Sequence, residues 1–165
     1  MSKKESLYNI ESIEKIESYF GIKFPNAYKE IMIKSEQMYP EIVDYKVNIP
    51  GYGLITFNFQ RMIEEEFINF NKLFNDRILD KKRIIPFAST LNGDVLLFDY
   101  LGSTNEPVIL YMEHEEALCI EDITPSQLKE RSLEEWMEEN FSFVSSSFEK
   151  FDNMVCHSRE KLCKK

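Results

Sequence analysis

A chain of 165 residues, 43% apolar and 30% charged, suits one globular domain, and thirteen Phe with eight Tyr exclude a disordered polypeptide. Twenty-nine acids against twenty bases give a net charge of -9, a field that repels a phosphate backbone and argues against nucleic acid as a partner. No apolar run approaches the ~20 residues of a membrane span and no hydrophobic segment follows the first residues, so no membrane partner and a cytoplasmic location are expected, with Cys119, Cys156 and Cys163 as free thiols of a reducing compartment.

Ile10, Ile13, Ile16 and Phe20 recur at helical spacing before Gly21, which predicts a helix over 9–20 with a left-handed glycine cap. Pro25 fits the first turn of a second helix, striped by Tyr28, Ile31 and Met32 and ending near Lys34. From Val47 to Phe59 the period changes to two, with Ile55, Phe57 and Phe59 on one face, which predicts a strand. A third helix is expected over 61–75, with Glu64, Glu65 and Glu66 where the helix dipole favours anions.

Asn92-Gly93 between two apolar segments, 83–89 and 95–100, signals a hairpin with positive φ at both turn positions. Val95 to Phe98 is apolar on both faces and reads as a central strand. Strands over 108–114 and 117–120 complete an antiparallel meander. Capping boxes at Thr124 and Ser132 start a short helix and a longer one. Met137, Phe141, Val144, Phe148, Phe151 and Val155, in steps of four and three, extend the longer helix well past Phe143. The fold class is therefore α+β, one domain with an antiparallel sheet flanked by N-terminal and C-terminal helices. A domain over 1–145 carries a helical extension and basic tail over 146–165, packed on the same domain. Packing on the chain's own sheet is favoured over a coiled-coil seam, so a monomer is expected rather than a homodimer.

Catalytic motifs are not found. Gly51-Tyr52-Gly53 lacks the third glycine and the Lys-Ser/Thr pair of a phosphate loop and reads as a turn, and no serine sits in a Gly-x-Ser-x-Gly setting. Cys119 or Cys156 could meet His114 or His157, but the first falls on an expected apolar strand and the second in an expected surface tail. Along a strand, Glu113 and Glu115 project from one face and His114 from the other, so the three do not converge on a metal. No catalytic, cofactor or metal residue is assigned.

What stands out is where the charge lies. Ten acids and two bases between Met112 and Ser142 account for eight of the nine net charges. Glu134 with Glu138 and Glu135 with Glu139 are like-charge pairs four residues apart, each destabilising a helix by about 0.2–0.5 kcal/mol, and a basic partner would relieve them. The residues alone leave a solvated face and a docking surface equally open. On the second reading Glu113, Glu115, Glu116, Glu121 and Asp122 bind the partner, with Tyr39 and Tyr52 as anchors, since charge steers encounter while buried aromatics carry affinity.

Five segments in order resemble the SUKH superfamily, which contains bacterial toxin-immunity proteins and fungal regulators of cell-wall synthesis. They are Ile13 to Met32, with Phe24-Pro25 where the family has Leu-Pro and Tyr28 three residues after the proline; Ile85-Pro86-Phe87-Ala88; Gly93-Asp94 through Asp99; Pro107 to Glu115, with its terminal aromatic and acid-His pair; and Ser132 to Met137. Ser35-Glu36-Gln37-Met38 departs from the Asn-Gly-Gly turn usual after the second helix. The resemblance implies an α+β sheet without catalytic residues and a cytosolic immunity protein that neutralises a cognate toxin, often a basic nuclease-type domain, by occlusion. The alternative it implies is a regulatory or scaffolding module.

Overall fold

The computed structural model describes residues 3–38 and 43–157. In chain order these form α1 (Lys3–Phe20), α2 (Asn26–Met38), β1 (Tyr45–Ile49), β2 (Gly53–Phe59), α3 (Glu64–Lys72), β3 (Ile84–Thr90), β4 (Val95–Asp99) and β5 (Val108–Met112). A 3-10 turn (Ile120–Asp122), α4 (Pro125–Glu130), α5 (Leu133–Glu138), β6 (Ser142–Ser145), α6 (Phe148–Met154) and β7 (Cys156–His157) follow. The sheet runs β6-β5-β4-β3-β2-β1-β7 with every pairing antiparallel. Strands β1 to β5 make the expected meander, and the two short C-terminal strands return to its opposite edges. The class is α+β, with helices at both ends of the chain flanking the sheet.

Alternation along the strands divides the core between two faces. Leu96 and Phe98 of β4, with Ile109 and Tyr111 of β5, join the larger cluster, built with Ile16, Phe24, Tyr28, Phe67, Phe148 and Phe151 from the helices. Val95, Leu97, Leu110 and Met112 point the other way, onto Phe74 and Ile78. All five residues of β4 are buried, as expected of a strand covered on both sides. Tyr28 sits at the aromatic centre, edge-on to Phe87, Phe98 and Phe148 at 5.7, 5.1 and 5.4 Å between centroids.

Two polar staples hold α1 in place. Buried Glu17 accepts the Phe24 N–H at 2.7 Å and pairs with Lys29 at 2.9 Å, so one carboxylate ties the end of α1 to the loop and to α2. Ser12 donates to the Met62 carbonyl at 2.6 Å and accepts the Glu64 N–H at 3.1 Å, capping α3 from another helix where Ile63 has no capping side chain.

Several expectations need correction. The strand expected over 47–59 is a hairpin, because Pro50-Gly51 makes a turn, with Gly51 at φ 85° and the Tyr52 N–H on the Ile49 carbonyl. In the β3–β4 turn only Gly93 has positive φ. A three-residue loop of Leu91, Asn92 and Gly93, closed by Gly93 N–H to Thr90 O, replaces the two-residue turn. Helix α3 is shorter than 61–75, its end tightening into three-residue turns at Leu73, Phe74 and Asn75. Helix α2 runs four residues past Lys34.

Residues 117–120 form no strand. The chain there is held by Asn140, which accepts the Leu118 N–H and donates to the carbonyls of Leu118 and Arg77. The long C-terminal helix does not form: α5 stops at Glu138, and Met137, Val144, Phe148 and Phe151 are buried from α5, β6 and α6 in turn. Steps of three and four also fit a strand between two short helices when each element contributes one or two inward residues. Cys119 is a free thiol, but Cys156 is disulfide-bonded, lies in β7 beside β1 and is buried, so it is neither a free thiol nor in a surface tail. An odd cysteine count leaves one thiol over without forbidding a pair, and the cysteine argument for a reducing compartment falls with it. Cys163 and the basic tail from Arg159 to Lys165 lie outside the described residues.

Candidate protein-docking site

At one end of the sheet the β1–β2 turn, the β3–β4 turn, the end of β5 and the start of β6 come together. Strand β5 ends at Met112, so Glu113 and His114 have left the strand, and the alternating-face argument does not apply to them. The chain instead turns over Asp94. The Asp94 carboxylate, buried at the hairpin corner, accepts the Tyr111 hydroxyl at 2.7 Å on Oδ2, and the His114 N–H at 3.0 Å and His114 Nδ1 at 2.7 Å on Oδ1. An ionised carboxylate only accepts, so Nδ1 carries the imidazole proton. Burial raises the Asp94 pKa, but the hydrogen bonds from His114 and Tyr111 outweigh it and hold the group below the ordinary carboxylate range. Tyr111 is pushed up, by burial first and by its bond to Asp94 second.

Gly93 completes the brace. A β-carbon there would meet the His114 ring at 3.6 Å, an ordinary contact, but the backbone φ of 91° is one that side chains resist. The hairpin corner thereby fixes the turn 113–116, which presents Glu115 and Glu116 outward, Glu115 with 79% of its side chain exposed. Within the turn Glu113 accepts the Glu116 N–H at 3.2 Å. Asp94, Glu113 and His114 bring one potential ligand atom each within 4.8 Å of one another. Asp94 and His114 brace the turn through their mutual hydrogen bond, and no metal is assigned.

Beside this acidic turn lie exposed apolar side chains. Tyr52, 40% exposed, packs its ring on Tyr111 at 4.7 Å, and its hydroxyl lies 3.4 Å from Ser142 Oγ. Leu91 at the hairpin tip is 93% exposed, and Phe143 on edge strand β6 is 60% exposed. Leu91 and Phe143 were not singled out from sequence, although a leucine inside an Asn-Gly turn is a readable signal. Phe143 falls in a region where a helix was expected.

The other expected residues separate from this end. Glu121 and Asp122 are exposed on the 3-10 turn, whose Ile120 N–H is bound to the Asp76 carbonyl at 2.7 Å beyond α3, so they form a second acidic step on different support. Tyr39 lies outside the described residues. The repulsion expected on α5 is relieved from within the chain: Arg83 pairs with Glu138 at 2.6 Å and Arg131 with Glu139 at 2.7 Å, the guanidinium of Arg131 lying 4.0 Å over the Trp136 ring. Cys119 donates to Asp76 at 3.7 Å, and its thiol pKa is raised chiefly by desolvation, which disfavours the nucleophilic thiolate.

Comparison with known proteins finds one family. The model of the SMI1 / KNR4 family (SUKH-1) matches residues 9–151, from the first amphipathic helix to α6. No curated protein and no solved structure matches the chain.

Proposed function

Because the chain belongs to the SMI1 / KNR4 family (SUKH-1), whose members are generally non-catalytic immunity or regulatory proteins, we propose that it binds and neutralises a cognate toxin by occlusion. The toxin is a basic, nuclease-type domain, and the contact is made through the acidic sheet end. The observation that carries this reading is the braced turn. Asp94, His114 and Gly93 hold Glu113, Glu115 and Glu116 in a fixed loop beside Tyr52 and Leu91, so acids that steer and apolar groups that anchor are presented together without an ordering cost on binding. Glu121 and Asp122 extend the same field.

The protein acts in this reading as a cytoplasmic monomer, with neither nucleic acid nor membrane as partner. No helix among the described residues is long and apolar enough to cross a membrane. The test is protection. A basic nuclease-type toxin domain proposed as the partner is expressed with and without this chain, and growth is restored by the wild type but not by Glu115→Lys/Glu116→Lys/Tyr52→Ala. Full protection by that variant, folded and equally abundant, would move the contact elsewhere; no protection by the wild type would remove the immunity reading.

A further inference from the structure

A second surface, of opposite charge, opens at the other end of β3. The last turn of α1, the outer face of α3 and the start of β3 enclose a cavity of about 340 Å³ floored by Phe20, Ile78, Ile84 and Pro86. Lys72, Lys81 and Lys82 also line it. None of the three is in an ion pair among the described residues, whereas the neighbouring Arg77 and Arg83 are paired with Asp76 and with Asp99 and Glu138. In a chain of net charge -9, three lysines lining one largely apolar cavity set up a local positive field. The cavity does not end there. It shares Tyr19, Ile68 and Lys72 with a groove of about 560 Å³ between α1 and α3, whose other charged residues are three acids, Glu11, Glu64 and Glu65, and one base, Lys15.

We propose that this groove is a peptide-docking site that takes an acidic segment bearing an apolar side chain. The size and apolar floor suit one or two buried side chains, and the continuation along α1 and α3 gives the elongated shape of a peptide rather than of a compact metabolite. The charges give the segment a direction: its acids lie against Lys72, Lys81 and Lys82, and its neutral or basic end runs toward Glu64 and Glu65. Tyr19, half-exposed at the junction, stands where both halves of the segment must pass. Because β3 separates this groove from the hairpin corner at Asp94, the chain can hold a basic partner at one end and an acidic segment at the other.

The test uses the full-length protein and a phage-displayed random-peptide library, with Lys72→Gln/Lys81→Gln/Lys82→Gln as the counter-target. All three lysines are exposed, so the variant keeps the core. Selected peptides are expected to combine clustered Asp or Glu with an apolar residue on one side of the cluster, and to bind the variant at least about tenfold more weakly, a loss of ~1.4 kcal/mol. Isotope-labelled wild type should show shifts at Tyr19, Ile68 and Lys72 on adding a selected peptide, a readout independent of the variant's folding. No enrichment over a blank surface overturns the proposal. So does enrichment of neutral or basic peptides, equal binding to both proteins, or shifts confined to the Asp94 end. Self-association of the wild type that the lysine changes abolish replaces the peptide by a second copy of this chain and overturns it too.

Discussion

Asp94 is the residue on which the acidic end turns. Its three hydrogen bonds join β4, β5 and the Glu113–Glu116 turn, and as charge-assisted bonds they rank above neutral ones. Asp94→Ala should cost about 1.5–3 kcal/mol in urea unfolding at pH 7. The sign with pH follows from the depressed pKa: an unfolded Asp titrates near ~3.9, so the folded group contributes stability above that pH and loses it as pH falls through its lower folded value. The gap between wild type and Asp94→Ala should therefore narrow in acid; a gap that is constant from pH 7 into strong acid would mean that the ionised carboxylate does not brace the turn. Gly93→Ala should cost about 1–2 kcal/mol from its backbone alone, since space for the methyl exists. The Asn-Gly pair made this hairpin legible in the sequence. That Asp94 would reach His114 was not, because the bond spans twenty residues and depends on β5 stopping at Met112.

At the scale of elements, local signals succeeded where they were self-contained. Thr124 caps its helix with the full box, Ser132 caps the next with its hydroxyl while the Glu135 carboxylate accepts from that hydroxyl rather than from the Ser132 N–H, and Gly21, at φ 72°, ends α1. Apolar spacing failed where long-range pairing decided the outcome: Ser142–Ser145 became a strand because the edge of β5 offered backbone partners, which no local pattern announces. The C-terminal segment is consequently part of the core. Phe148 and Phe151 are buried against Tyr28, Phe57, Phe87 and Phe98, and Phe148→Ala or Phe151→Ala should each cost about 3–5 kcal/mol in thermal or chemical unfolding. Truncation after Val144 should leave no cooperative transition; a soluble product as stable as the full chain would show that α6 is dispensable. Arg83 joins β3 to β4 through Asp99 and to α5 through Glu138. Arg83→Ala should cost about 1.5–3 kcal/mol, with Asp99, buried, losing its bidentate partner. A loss near zero would show the pair to be idle.

Over the whole molecule the charge is sorted rather than merely negative. Composition disclosed the excess of acids, and position along the chain disclosed its concentration after Met112, but the pairing of Glu138 and Glu139 with arginines waited on the fold. What remains without an arginine is narrower than the sequence suggested: the turn 113–116 with its apolar neighbours, Glu121 with Asp122 on separate support, and Glu130, Glu134 and Glu135 around α4 and α5. A field of this kind acts on encounter, raising association rates about 10- to 1,000-fold and fading with salt. The most direct test is the association rate of the full-length protein with the proposed basic toxin domain, measured at low and high salt for the wild type and for Glu115→Lys/Glu116→Lys/Glu121→Lys, whose exposed side chains leave the core untouched. The expected result is an association rate at least about tenfold lower for the variant at low salt, with its salt dependence flattened. Identical rates and identical salt slopes for the two proteins would contradict the docking of a basic partner at the acidic sheet end.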